Sequence, residues 1–201
     1  LSLNAYAYFS LFKYREAKVK YEKLFELGYA PADHYFYLGY IYYRLEQPND
    51  AYNYLYKANE LAQGLNEVIL YHLGLAAIKS LRYEEAISFL EKALNKERIA
   101  EIYKSQSSAY HSLGQDIKAI KMLHKGMKYQ YKHQTLYHIA YLYETSGRKK
   151  QAIKAYQRFL KALPDSIKEQ QLKSLKKFTK LRLQQLKEEQ FMNRDTTNLT
   201  N

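Results

Sequence analysis

Five alanines set the frame of this chain. Ala17, Ala51, Ala86, Ala119 and Ala152 follow one another at spacings of 34, 35, 33 and 33 residues. Their context repeats with them. Twelve residues before each stands a small residue: Ala5, Gly39, Gly74, Ser107 and Ala140. Nine before stands Tyr8, Tyr42, Ala77, Tyr110 or Tyr143, and four after stands Tyr21, Leu55, Leu90, Leu123 or Tyr156. Seven after stands Leu24, Ala58, Ala93, Gly126 or Phe159. A period of this length marks a chain built from repeated supersecondary units, each unable to bury its apolar face alone.

The unit is a pair of helices. Tyr35, Leu38, Gly39 and Tyr42 fall at i, i+3, i+4 and i+7, which is one face of a helix. Ala51, Leu55 and Ala58 do the same on a second. The small residues let two antiparallel helices approach closely, and the large ones fill the gaps. Only 7 Gly and 3 Pro occur in 201 residues, which suits an all-helical chain. Gly114, Gly147 and Pro48 fall in turns within units; Gly28, Gly64, Pro31 and Pro164 fall between them. Gly39, Gly74 and Gly126 read as packing residues. None remains for a phosphate-cradling loop.

These residues resemble the tetratricopeptide repeat family. The stretches YLGYIYYRLEQPNDAYNYLYKA from Tyr37 and HIAYLYETSGRKKQAIKAYQRFLKALP from His138 carry the likeness best. Gln106 and Asn4 depart from it, standing where an apolar residue is usual. The pentatricopeptide family has a similar repeat length, but its signature is not the one these residues spell. The resemblance implies an all-α, right-handed α-solenoid of about five helical hairpins plus a C-terminal capping helix. The array is expected over 1–164, in repeats of about 1–31, 32–66, 67–99, 100–132 and 133–164. Ala17, Ala51, Ala86, Ala119, Ala152, Gly39 and Gly74 are its expected packing points.

At the ends the pattern changes. Leu1 falls already inside the first helix, so the chain is expected to continue upstream in a longer protein. Ser166-Ile-Lys-Glu169 reads as a capping box that starts a helix. Over 165–192 that helix sets Leu172, Leu175, Thr179, Arg182 and Leu186 on one face and lysines on the others, as a terminal cap does. The polar tail 193–201 is expected to be disordered, and its Asn198-Leu199-Thr200 sequon needs a secretory context.

A stack of hairpins presents a concave surface built from first helices. The stripe expected there comprises Phe36, Tyr37, Tyr40, Tyr43 and Arg44, with Tyr6 and Phe9 before it. Tyr71, His72, Lys79, Lys104, His111, Tyr137, His138, Tyr141 and Glu144 continue it. Tyrosines offer area and a polar tip for little entropy, so the stripe is expected to bind a peptide or protein. Some relatives hold acidic chaperone tails through a Lys, Arg and Asn clamp; here Tyr6, Tyr37, Tyr40 and His72 occupy that surface, so this specificity does not carry over.

The chain carries a net charge of +12, all of it in the second half: residues 1–100 are neutral. Lys118, Lys121, Lys125, Lys150, Lys154, Arg158 and Lys161 lie on second helices. A solvated face is the plain reading; attachment to nucleic acid or to an anionic membrane surface is the alternative, as is a role as one module of a larger enzyme or regulator. Tyr129 and Tyr131 beside Lys128 and Lys132 offer stacking platforms for RNA, but no RNA-binding motif accompanies them.

Catalysis finds no support in the sequence. Cysteine is absent, which excludes disulfides, thiolate nucleophiles and thiolate metal sites. The six histidines show no metal-ligand spacing, and no nucleophile elbow occurs. No cofactor and no metal are expected. The longest apolar run, Leu73 to Ile78, is too short to span a membrane.

Overall fold

The computed structural model describes residues 2–94, 97–164 and 166–198. Leu1 and the Leu199 and Thr200 of the sequon lie outside them. The chain is all-α. Among the described residues its helices are α1 (Ser2–Ser10), α2 (Tyr14–Glu26), α3 (Ala32–Arg44), α4 (Pro48–Leu61), α5 (Glu67–Lys79), α6 (Tyr83–Lys92), α7 (Ile99–Ser112), α8 (Asp116–Met127), α9 (His133–Thr145), α10 (Lys149–Ala162) and α11 (Gln170–Asn198). They fall into two compact units, residues 1–109 and 110–201.

In the first unit α1 pairs with α2, α3 with α4 and α5 with α6, and α2 and α4 each pack on the next first helix. The repeat alanines Ala17, Ala51 and Ala86 are fully buried. Small residues are required opposite them. A β-carbon on Gly39 would stand 2.7 Å from Leu55 Cγ and 2.9 Å from the Leu55 backbone nitrogen. Tyr21, Leu38, Ile41, Leu55 and Leu73 fill the space that this close approach leaves.

The turns repeat as strictly as the alanines. The residue five before each alanine has positive φ: Phe12 at 58°, Glu46 at 57°, Leu81 at 63°, Gly114 at 70° and Gly147 at 73°. Each is followed by an N–H that reaches back to the carbonyl of the residue nine before the alanine. Gln47 N donates to Tyr42 O at 3.0 Å, Arg82 to Ala77 at 2.8 Å, Gln115 to Tyr110 at 2.8 Å and Arg148 to Tyr143 at 2.9 Å. This is the left-handed helix cap that satisfies the last carbonyls and reverses the chain. Glycine takes the left-handed residue in the last two turns; the first three place a side chain there at a conformational cost.

In the second unit α8 packs on α9, α9 on α10, and α11 on α10 and α9. Leu183 and Leu186 of α11 bury against Ala140, Ala152, Ile153 and Tyr156. Leu172 joins Leu136 and Phe159. The last hairpin is thus covered by a helix whose outer face carries lysines, which is a cap.

Two end expectations are corrected. The cap helix begins at Gln170, not at Ser166. Ile167 packs into the Leu136, Phe159 and Leu172 cluster, which keeps the preceding segment down on the hairpin. Glu169 instead opens the helix, its carbonyl accepting from Lys173 N at 3.2 Å while its carboxylate accepts from Gln134 Nε2 at 3.3 Å. At the other end α11 runs to Asn198, through most of the tail expected to be disordered. No Gly or Pro interrupts that stretch, so a long helix propagates through it at one hydrogen bond per residue.

Candidate interaction surface

The first-helix stripe of the first unit is a ladder of rings. The Tyr6 ring lies edge-on to Tyr37 at 5.4 Å, and Phe9 contacts Tyr37 at 4.9 Å and Tyr40 at 5.5 Å. Tyr40 then meets the His72 ring at 5.0 Å, and Phe36 meets it at 5.7 Å. Tyr71 flanks His72 at 5.2 Å. One ladder therefore links α1, α3 and α5. Its inner edge is packing: Tyr37 stacks on the fully buried Tyr21 at 5.8 Å. Its outer edge is open, with Tyr6 48% exposed.

The charged members of the stripe differ in their freedom. Arg44 lies over the Tyr14 ring at 4.9 Å and donates to Tyr40 Oη at 3.1 Å, so it is posed on the ladder while remaining exposed. Lys79 lies over Tyr43 at 4.6 Å and is held by both oxygens of Glu46, at 2.7 and 2.6 Å. Lys104 is exposed. His72 is mostly buried; desolvation, and then the Arg98 charge, lowers its imidazole from 6.5 to about 4. It is therefore neutral at physiological pH, and its Nδ1 has no partner among the described residues.

Beside the ladder lies a pocket of about 330 Å³, lined by Ala32, Asp33, Phe36, Tyr37, Ala62, Asn66, Val68 and Ile69. Phe36 and Tyr37 belong to both features. The pocket wall is built by the turn into α5, where Asn66 Oδ1 caps the helix by accepting from Val68 N at 3.0 Å and Ile69 N at 3.1 Å. The repeat pattern does not encode this pocket. It depends on the α4–α5 turn, and the repeat pattern is weakest in such turns.

In the second unit the stripe is partly engaged in structure. Tyr137 packs on Tyr156, Phe159 and Phe178, while Tyr141 is 43% exposed and lies 6.1 Å from His111. His111 Nδ1 pairs with Asp116 Oδ1 at 2.5 Å. His138 is exposed beside Tyr137. Glu144 has a structural role. Its carboxylate accepts from Tyr156 Oη at 2.7 Å and from Arg182 Nε at 2.7 Å, which ties α9, α10 and the cap together. Burial and this bond push the Tyr156 hydroxyl far up.

The sequence matches the family described as anaphase-promoting complex, cyclosome, subunit 3, over residues 10–93. It matches the tetratricopeptide repeat itself over residues 134–166. The chain belongs to the tetratricopeptide repeat family. Among curated proteins no sequence matches it. Solved tetratricopeptide structures share the fold. MamA is 24% identical with a TM-score of 0.68, the match covering 78% of this chain and 92% of that one. Pseudomonas aeruginosa pilF is 18% identical with a TM-score of 0.62, covering 92% and 89%. The APC/C hetero-tetramer Cut9-Hcn1 is 21% identical with a TM-score of 0.62, covering 87% of this chain and 34% of that one.

Proteins with the tetratricopeptide fold act generally as protein–protein interaction scaffolds. Among the described residues no three acidic or imidazole side chains stand together as a metal site, and no helix is long and apolar enough to cross a membrane.

Proposed function

We propose that this chain is a non-catalytic scaffold whose first-helix aromatic stripe binds a peptide or protein. The observation that carries the reading is the pocket beside Phe36 and Tyr37, set against a ladder whose end ring, Tyr6, and whose Arg44 remain open. Rings already held by one another lose little entropy when a partner covers them, and clustered aromatics supply most of the binding energy at such surfaces. Of the expected site residues, Phe36, Tyr37, Tyr40, Arg44, Tyr71 and His72 come together on this surface. The Lys79–Glu46 pair beside Tyr43 forms its rim. No cofactor takes part in this reading.

A photo-crosslinking amino acid at Tyr6 or Arg44 tests it. Partner peptides captured there, and not from a matched probe at exposed Leu65, support the stripe. Equal capture at both positions contradicts it.

A second reading rests on α11. Lys173, Lys176, Lys177 and Lys180 fall at i, i+3, i+4 and i+7 and, with Ile167, line a recess of about 400 Å³. This cationic face suits an anionic surface or nucleic acid, whose binding weakens steeply with salt. Binding that persists at high salt speaks for the aromatic stripe.

A further inference from the structure

The second unit has another pocket, independent of the stripe. It measures about 260 Å³ and lies among α8, α9 and α10. Leu136, Ile139 and Ala155 give it an apolar floor; His124, Gln151, Lys154 and Arg158 rim it, with Tyr143 at one side. On α9 the floor residues lie on the face opposite Tyr137 and Tyr141, as their helical spacing requires.

The charge around this pocket is uncompensated. Lys154 and Arg158 stand one turn apart on α10, both exposed and neither with a carboxylate partner among the described residues. Helices α8, α9 and α10 hold only two acidic residues, Asp116 and Glu144. Both are already engaged, Asp116 by His111 and Glu144 by Tyr156 and Arg182. Partial desolvation and then the Arg158 charge hold the His124 imidazole below its ordinary value, so the site already disfavours a further cation. An apolar cavity whose rim carries only positive charge matches a ligand with an apolar group next to an anion.

We propose that this pocket docks an acidic peptide, taking one apolar side chain on Leu136, Ile139 and Ala155 while Lys154 and Arg158 hold the flanking carboxylates. A flat anionic bilayer would leave the recessed floor empty, and a phosphate backbone offers nothing to fill it.

The test uses the full chain and three acetylated hexapeptides, alternating Asp with Leu, Asn with Leu, and Asp with Gly, followed by calorimetry. The Asp–Leu peptide is expected to bind at least about tenfold more tightly than either of the others. The double change Lys154→Glu, Arg158→Glu is expected to abolish that preference and to create binding of a Lys–Leu hexapeptide. The double change Lys173→Glu, Lys177→Glu on α11, and Tyr6→Ala on the stripe, are expected to leave it intact. Equal binding of the Asp–Leu and Asn–Leu peptides overturns the proposal. So does loss of binding in the α11 variant alone, or binding only of vesicles of phosphatidylserine and phosphatidylcholine.

Discussion

A β-carbon on Gly74 would stand 2.6 Å from Cγ of Leu90 and 3.4 Å from the carbonyl oxygen of Ala86. The two helices of the third hairpin therefore meet at backbone distance, and Ala86 is fully buried beside the contact. Ala86→Leu or Gly74→Ala forces the helices apart. A loss of about 1–3 kcal/mol is expected for either, read as a lower urea midpoint. An unchanged midpoint contradicts the packing register.

The left-handed turn residues carry a removable cost. Leu81 has φ 63° and is 71% exposed, so its side chain gains little there. Leu81→Gly removes the steric penalty of about 1–2 kcal/mol and returns part of it as unfolded-chain entropy. A net gain of roughly 0.5–1 kcal/mol is expected in thermal unfolding. Gly147→Leu, in the equivalent turn, is expected to lose a similar amount.

His72 makes the first unit sensitive to acid. Its folded value of about 4 lies below the ordinary 6.5. Between those values the unfolded chain binds a proton that the folded chain refuses, so stability falls as pH drops from about 6.5 toward 4. The effect is on the order of 3 kcal/mol at its full extent. His72→Leu is expected to flatten that part of the pH profile of the urea midpoint. An identical slope in both chains removes this assignment.

Much of this was legible in the alanine spacing. A period near 34 residues, with small and large residues at i, i+3, i+4 and i+7 within it, points to paired helices, because that spacing sets them on one helical face. The ends were less legible. Ser166 to Glu169 spells a cap, but Ile167 has a tertiary contact to make, and that contact outweighs the local signal. On the surface, the pattern identified the ring stripe without separating open residues from engaged ones. Glu144 sits at a stripe position by spacing, yet Tyr156 and Arg182 claim it from helices distant in sequence. Both pockets arise where several helices converge, which no single helical face encodes.

The cap is expected to be essential to the second unit. A chain ending at Leu163 exposes Tyr156 and Phe159, both now fully buried, and aggregation or loss of a cooperative transition follows. Within the cap, Thr179 is fully buried and its hydroxyl has no partner among the described residues. Thr179→Val is expected to stabilise the chain by about 1 kcal/mol, since it removes an unsatisfied buried group at constant shape. Scanning calorimetry reads both.

A partner seated on the aromatic stripe of the first unit draws its affinity from those rings and from Arg44. The most direct measurement is the affinity of the captured partner for the intact chain and two variants at several salt concentrations. The first variant is Tyr6→Ala, Tyr40→Ala, Arg44→Ala; the second is Lys173→Glu, Lys177→Glu on α11. The first is expected to keep its helicity and lose about 2 kcal/mol or more of binding, and the second to bind as the parent does. Loss of the partner by the lysine variant, with the stripe variant binding normally, contradicts this assignment.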